Sequence, residues 1–143
     1  MPQIHRQKIV PYTPQAMFEL VNDVARYAEF VPWCVESRLL RADSDALSAM
    51  LTFAKGGLHK SFTTLNRLEM HKMIEIRLLE GPFKQLEGFW RFEQHEAGCK
   101  VSLDLEFEFS TKMLGILFGP VFNQVASTLV DVFCKRAAEL YGA

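Results

Sequence analysis

TKMLGILFGPVFNQVASTLVDVFCKRAAELY, residues 111–141, is the stretch that decides the fold. On a helix that turns about 100° per residue, its large apolar side chains share one face, while amides, hydroxyls and a carboxylate lie opposite. The apolar face comprises Leu114, Phe118, Val121, Phe122, Val125, Leu129, Val132, Phe133 and Leu140. The opposite face comprises Asn123, Gln124, Ser127 and Asp131. This pattern predicts a long helix whose apolar face is covered by the rest of the domain.

No charged side chain occurs between Met113 and Val130, which raises the question of a membrane span. A span needs about 20 predominantly apolar residues, whereas this run is interrupted by Gly119 and Pro120 and contains amides and hydroxyls. We therefore interpret it as the core helix of a soluble domain. Because proline removes a backbone donor, the helix is expected to kink or restart at Pro120. Residues 113–119 are then expected to form a mobile gate, or a tip in transient contact with a membrane surface.

Composition and charge narrow the function classes. A chain of 143 residues predicts one domain, residues 1–143. The net charge is −1, so no global basic field indicates a DNA-binding protein. The 12 phenylalanines indicate an aromatic interior, which is typical either of dense packing or of a cavity for an apolar guest.

The cysteines and the first residues predict a cytoplasmic location. Cys34, Cys99 and Cys134 are odd in number and far apart, as expected of free thiols in a reducing compartment. The opening sequence, MPQIH, contains no apolar signal core and no transit peptide. Peripheral contact at the inner membrane is expected if residues 113–119 touch lipid.

Before the long helix, the hydrophobic period changes from helical to two. Residues 101–109 show this most clearly, because apolar side chains alternate there with Ser102, Asp104, Glu106 and Glu108. Such alternation is typical of an antiparallel strand with one wet face. Similar runs, separated by turn residues, predict six hairpin-linked strands. The turns fall at 42–45, 56–57, 70–72, 81–82 and 96–98.

An N-terminal strand and a short helix complete the expected fold. Residues 3–10 indicate a strand that ends at Pro11. Thr13 and Pro14 then provide a hydroxyl N-cap and a proline at the first helical position. The fold class is therefore α+β: a seven-stranded antiparallel sheet curved around the long C-terminal helix, with a helical insert after the first strand.

No constellation of residues predicts catalysis or a metal site. The four histidines, at positions 5, 59, 71 and 95, lack the spacing of metal ligands. The acids of the 101–109 strand share its wet face, which favours a solvated surface over general acid–base catalysis. Gly56-Gly57 lacks the lysine of a phosphate-binding loop. We therefore predict a non-enzymatic protein with no metal and no cofactor.

Two features of the expected interior leave alternatives open. Arg136 projects into the apolar stripe of the long helix. It either extends past the end of the sheet or faces a cavity, where it would bind the carbonyl oxygens of a ligand head group. Trp90 and Phe92 face inward beside Phe107 and Phe109, where they either fill the core or form the wall of a ligand site.

Three runs carry a family resemblance: DVARYAEFVPWC at 23–34, EGPFKQLEGFWRF at 80–92 and FCKRAAELYG at 133–142. They resemble the coenzyme Q-binding branch of the START-like (polyketide cyclase/dehydrase-type) superfamily, whose bacterial members include the ribosome-association toxin. The middle run is the most specific, since general sheet patterning rarely produces a Gly-Pro-Phe start to a strand that ends in Trp-x-Phe. Ala28 departs from the pattern, in which proline is expected. The resemblance extends over essentially the whole chain.

The resemblance implies a helix-grip fold of the START/Bet v 1 type, in agreement with the predicted element order. It also implies a polyprenyl quinone or another lipid between sheet and helix, and no catalytic residues. The expected function is non-enzymatic binding of a ubiquinone-like isoprenoid in support of respiration, with residues 113–119 as the gate. The residues expected to line the cavity are Phe30, Val31, Trp33, Phe53, Phe62, Phe83, Trp90, Phe92, Phe118, Phe122 and Arg136.

The resemblance implies an alternative function as well, that of an inhibitor that binds the large ribosomal subunit and blocks subunit joining. Cations around one predicted hairpin could provide the contact, although such side chains also serve solubility alone. They are Lys55, His59, Lys60 and Arg67, extended by Arg38 and Arg41. A third class, an enzyme similar to the polyketide cyclases, needs a cavity acid or base that the sequence does not offer.

Overall fold

The computed structural model describes residues 3–142, and its element order is the predicted one. The strands are β1 (Gln3–Val10), β2 (Cys34–Ala42), β3 (Ala46–Lys55), β4 (Leu58–Glu69), β5 (Met73–Glu80), β6 (Phe83–His95) and β7 (Gly98–Phe109). The helices are α1 (Pro14–Asn22) and α2 (Lys112–Tyr141). A 3₁₀ helix, Val24–Glu29, follows α1 and leads towards β2.

The strands form one antiparallel seven-stranded sheet in the order β1-β7-β6-β5-β4-β3-β2. We call the face that packs against α1 and α2 the concave face, and the opposite one the convex face. The expected alternation is confirmed on β7, where Leu103 and Leu105 are buried. Asp104 between them pairs with Arg91 at 2.9 Å on the convex face.

Helix α1 begins where the sequence predicts. The Thr13 side chain accepts a hydrogen bond from the backbone N–H of Ala16 at 3.0 Å, which satisfies a donor that the first turn leaves free. Proline occupies the first helical position, where no N–H is needed. The buried face of α1 then lies against β6 and β7. Its buried residues are Met17, Phe18, Leu20 and Val21.

Helix α2 lies along the concave face and buries the middle of its predicted stripe. Its buried positions are Phe118, Phe122, Val125, Ala126, Val130, Phe133, Cys134 and Ala137. Leu140 is 52% exposed, so its predicted place on the buried face is wrong. The last turn is held instead through Tyr141, whose ring packs against Tyr12 at 5.7 Å and whose hydroxyl donates to the carbonyl of Ala16 at 3.3 Å. Among residues 3–142, α2 alone has the length and mean hydropathy, 1.5, of a membrane span, judged by length and composition only.

Proline does not interrupt α2. The helix continues through Pro120, so the expected restart at this residue is wrong. The N–H that Pro120 lacks would have bonded to the carbonyl of Ile116, one turn earlier. Ile116 is 60% exposed, so water can reach this turn of the helix.

Two aromatic clusters join α2 to the concave face. Phe133 packs edge-on against Tyr27 at 5.1 Å and Trp90 at 5.3 Å between ring centroids. Nearer the start of the helix, Phe122 packs against Phe83 at 4.9 Å and Phe107 at 4.8 Å. Tilted and edge-on rings at these separations are the favoured arrangement. The helix is therefore anchored at both ends of its buried segment.

Candidate ligand cavity and cationic surface

An interior cavity of about 80 Å³ lies between α2 and the concave face, bordered by the helix at positions 122–129. Its wall is almost entirely aliphatic and aromatic. The lining residues are Val21, Val24, Tyr27, Val31, Ala49, Leu51, Phe53, Phe62, Thr64, Asn66, Ile74, Ile76, Leu86, Trp90, Leu103, Leu105, Phe122, Val125, Ala126 and Leu129.

Small residues at inward positions leave this space. Ala49 on β3 and Ala126 on α2 both line the cavity. Gly88 on β6 lies in register between two lining residues, Ile76 on β5 and Leu105 on β7. A Cβ at Gly88 would lie 2.5 Å from the carbonyl oxygen of Asp104, so β6 and β7 approach too closely there for any side chain. Larger residues at these positions would close the cavity.

Two polar groups on β4 interrupt the apolar wall. The Thr64 hydroxyl donates to the Asn66 carboxamide oxygen at 2.9 Å, and both residues are 7% exposed. Tyr27 also lines the cavity, but its hydroxyl donates to the backbone carbonyl of Val21. Burial raises the pKa of Tyr27 far above its ordinary value, so it stays protonated. No histidine, carboxylate or lysine is among the lining residues.

The structure brings only part of the predicted ligand set to the cavity. Val31, Phe53, Phe62, Trp90 and Phe122 line it. Phe83, Phe92 and Phe118 do not line it, but are buried beside it in the aromatic packing. Periodicity identifies an inward side chain, but it does not tell which of these meets empty space and which meets another ring.

Phe30, Trp33 and Arg136 do not line the cavity. The Arg136 guanidinium lies 5.0 Å from the Phe30 ring and 3.4 Å from a carboxylate oxygen of Glu29. The proposal that Arg136 faces the cavity is therefore wrong, because Glu29 at the end of the 3₁₀ helix offers it a carboxylate and the following residue, Phe30, offers an aromatic face. Trp33 is half-buried, and the Lys55 ammonium lies 4.1 Å from its ring centre.

Sequence analysis missed the polar pair on β4. Thr64 and Asn66 occupy alternate positions on the same face as Phe62. The signal was present, since an asparagine at an inward position of a period-two strand is a buried polar group that needs an explanation.

The predicted patch of cations divides between the two faces of the sheet. Lys60 pairs across from the inward Phe53, and Lys55 lies two residues further on the same side, near the tip of the β3–β4 hairpin. His59 and Arg67 alternate with these residues and face the convex side. Arg38 and Arg41, on the edge strand β2, share the convex side through their register with Met50 and Ser48. The prediction that these six cations form a single patch is therefore wrong.

The chain is similar to known proteins over most of its length. The family model described as polyketide cyclase / dehydrase and lipid transport matches residues 10–134. The chain belongs to this family. A relative from Pseudomonas aeruginosa named ribosome association toxin RatA is 46% identical over 97% of both chains. A Schizosaccharomyces pombe relative named coenzyme Q-binding protein coq10, mitochondrial, is 28% identical over 91% of this chain and 83% of its own.

Solved structures confirm the family's helix-grip fold. The solution structure of the 18 kDa protein CC1736 from Caulobacter crescentus is 33% identical, covers both chains completely and has a TM-score of 0.76. An aromatase/cyclase from a Streptomyces species, Zhui, has a TM-score of 0.84 over 99% of this chain and 96% of its own, at 17% identity. The second likeness concerns the fold alone.

Proposed function

We propose that this protein acts without catalysis by associating with the ribosome, binding the large subunit and blocking subunit joining. The observation that carries the proposal is the 46% identity, over 97% of both chains, to a protein named ribosome association toxin RatA. A ribosomal partner implies a cytoplasmic site of action. The cavity wall supports the non-enzymatic part, because its lining includes no histidine, carboxylate or lysine to act as acid or base.

The convex face offers cations to ribosomal RNA. Arg41 on β2 and Arg67 on β4 take part in none of the salt bridges within residues 3–142. Arg77 on β5 differs, since it contacts Glu75 at 3.1 Å and Glu87 at 3.2 Å. The spacing between strands and the rise per residue place the Cα atoms of Arg41 and Arg67 about 12 Å apart. We call them the convex arginine pair, and we propose that they contact phosphate groups.

Neutralising the pair tests this contact. The double variant Arg41→Gln/Arg67→Gln is expected to bind isolated large subunits about 10-fold more weakly at moderate salt. The slope of log K against log salt should become shallower by about 2, because each lost phosphate contact removes about one unit. Sedimentation of the purified protein with isolated large and small subunits over a salt series measures both quantities.

A matched control uses cations on the concave side of the same hairpin. Lys55→Gln/Lys60→Gln removes the same number of charges, so it is expected to leave the salt slope within error of the wild type. If the lysine variant loses binding and the arginine variant keeps it, the ribosome contacts the hairpin tip instead. If neither variant changes the slope, the convex arginine pair is not the contact.

We propose a second function, binding of an apolar guest such as an isoprenoid quinone, on the strength of the cavity. A ligand pocket usually has about 300–1,000 Å³, so the 80 Å³ present here must enlarge when a guest enters. Burial of isoprenoid carbon contributes about 0.8 kcal/mol per CH₂-sized group, which can offset that rearrangement. A distant relative named for coenzyme Q binding adds support.

Filling the cavity tests guest binding. Ala49→Leu adds bulk at a position that is 3% exposed and lines the cavity. Ala54→Leu is the control, since it lies on the same strand with its side chain on the convex side. Organic extraction and mass spectrometry of protein purified from its native host should find quinone in the wild type and in the control. Quinone retained by Ala49→Leu would contradict the second function.

A further inference from the structure

We propose that Thr64 and Asn66 form the polar anchor of the cavity, and that this anchor selects an apolar guest carrying a neutral carbonyl oxygen. This inference rests on the second function proposed above, guest binding, and it assigns the part of the cavity that recognises the head group. It is independent of ribosome association.

The Asn66 carboxamide has an unused hydrogen-bonding half. Its oxygen accepts from the Thr64 hydroxyl at 2.9 Å, whereas its nitrogen has no hydrogen-bond partner within residues 3–142. Its neighbours in register are Leu47 on β3 and Ile76 on β5, whose side chains offer no acceptor. Because Asn66 lines the cavity and is 7% exposed, the two N–H groups of a buried amide are left for a guest.

A second polar pair on the neighbouring strands shows what a purely structural arrangement looks like. On the convex side, the hydroxyls of Thr52 and Ser61 lie 2.7 Å apart. Each hydroxyl there has its partner within the sheet. On the concave side the Thr64 hydroxyl donates to the Asn66 oxygen. The Asn66 nitrogen is not among the buried atoms without a partner in residues 3–142, so it keeps accessible surface from which it can donate to a guest.

The charges around the cavity exclude an anionic head group. Arg136 lies outside the cavity and pairs with Glu29 at 3.4 Å. Lys55 packs over Trp33 at the surface. A carboxylate or phosphate beside Asn66 would therefore be buried without a counter-ion, which is strongly unfavourable. A neutral acceptor such as a quinone carbonyl fits the donors that the site provides.

The test compares two probes that share a tail and differ in the head group. Decylubiquinone carries carbonyl oxygens and decylbenzene does not. Fluorescence of Trp90, which lines the cavity, and calorimetry report binding. We expect the wild type to bind decylubiquinone at least 10-fold more tightly than decylbenzene. Asn66→Leu keeps a similar size and removes the donors, so it should lose that preference and retain affinity for decylbenzene.

The control variant is Ile76→Val, which trims a neighbouring lining residue without a polar change and should preserve the preference. If Asn66→Leu still prefers the quinone, the anchor assignment is overturned while guest binding stands. If the wild type binds neither probe, the second function fails, and the anchor fails with it.

A stability measurement needs no ligand. In Thr64→Val/Asn66→Leu, both polar partners become apolar groups of similar shape, a change that is nearly neutral or stabilising when the pair does not hold the fold. We expect a urea midpoint equal to or above that of the wild type. A clearly lower midpoint would assign Thr64 and Asn66 a structural role and overturn the proposal.

Discussion

The concave and convex faces of the sheet are under different physical constraints, which explains why they carry different kinds of residue. Over the concave face, aromatic and aliphatic side chains pack under α2, and Thr64 and Asn66 stand out as a buried polar pair. On the convex face, acids and bases form ion pairs such as Arg91 with Asp104 at 2.9 Å, whereas Arg41 and Arg67 take part in no salt bridge within residues 3–142. Burial therefore limits the concave face to apolar residues unless a hydrogen-bond partner compensates, as Thr64 and Asn66 do for each other at 2.9 Å, whereas the exposed convex face tolerates charged residues that a partner can contact.

The largest effect is expected where α2 meets the concave face. Phe133 has no exposed surface and contacts the rings of Tyr27 and Trp90. Phe133→Ala should lower the free energy of unfolding by about 3–5 kcal/mol, through lost burial and the cavity left behind. Urea denaturation followed by circular dichroism measures the change.

The matched control removes an apolar side chain that the sheet leaves in water. Leu79 on β5 is 55% exposed, so Leu79→Ala should change the free energy of unfolding by less than about 0.5 kcal/mol. If Phe133→Ala and Leu79→Ala lower the free energy of unfolding equally, burial under α2 does not dominate the stability. The two faces would then not differ in their contribution to it.

The buried thiols are expected to make the free energy of unfolding depend on pH. Cys34, Cys99 and Cys134 are free, as the sequence predicts, and the structure shows that all three are buried. Burial raises the pKa of each thiol to about 11. As pH rises above the ordinary thiol value, the unfolded chain loses these protons while the folded chain keeps them, so the unfolded state binds fewer protons. The free energy of unfolding should therefore be constant up to about pH 8 and fall as pH rises towards 11.

Urea midpoints at unit intervals from pH 7 to 10 measure this dependence, and Cys99→Ala should make it shallower. Cys99 is fully buried, so alanine removes one of the titrating groups at a modest cost in packing. A midpoint that rises between pH 8 and 10 would contradict the raised pKa values.

Periodicity predicted the sheet and helix because burial of one face constrains every second residue of a strand and a stripe of a helix. The alternation of residues 101–109 located β7, and the turn residues located each hairpin. Alternation along a strand would also have assigned the cations to two different faces, since Lys60 and Arg67 are an odd number of residues apart on β4. The six cations were instead grouped by sequence distance alone.

The cavity could not be predicted to the same extent. Alternation shows that Phe62 and Phe92 both face inward, but only the packed structure shows that Phe62 borders the cavity as well as neighbouring rings, whereas Phe92 does not line it and packs against Phe18. Arg136 was misplaced for a similar reason, since its Glu29 partner is 107 residues away in sequence. Contacts of this range depend on how the elements dock, which periodicity does not encode.

Substitutions at the start of α2 are expected to have the smallest effect on stability, because the apolar side chains there are exposed to solvent and pack on neither face of the sheet. Met113, Ile116 and Leu117 are 63%, 60% and 54% exposed, and Lys112 precedes them. Apolar side chains beside a cation suit the interface of an anionic membrane. Ile116→Ser/Leu117→Ser should therefore keep the free energy of unfolding within about 0.5 kcal/mol and reduce co-sedimentation with phosphatidylglycerol-containing vesicles several-fold.

Ile9→Ser is the control for this variant. Ile9 is 48% exposed and pairs with the first residues of β7, whereas α2 follows the end of that strand, so the two sites lie at opposite ends of the sheet. If both variants lose vesicle binding equally, general hydrophobicity rather than the tip of α2 causes the attraction. If neither variant loses vesicle binding, the start of α2 is not the membrane contact.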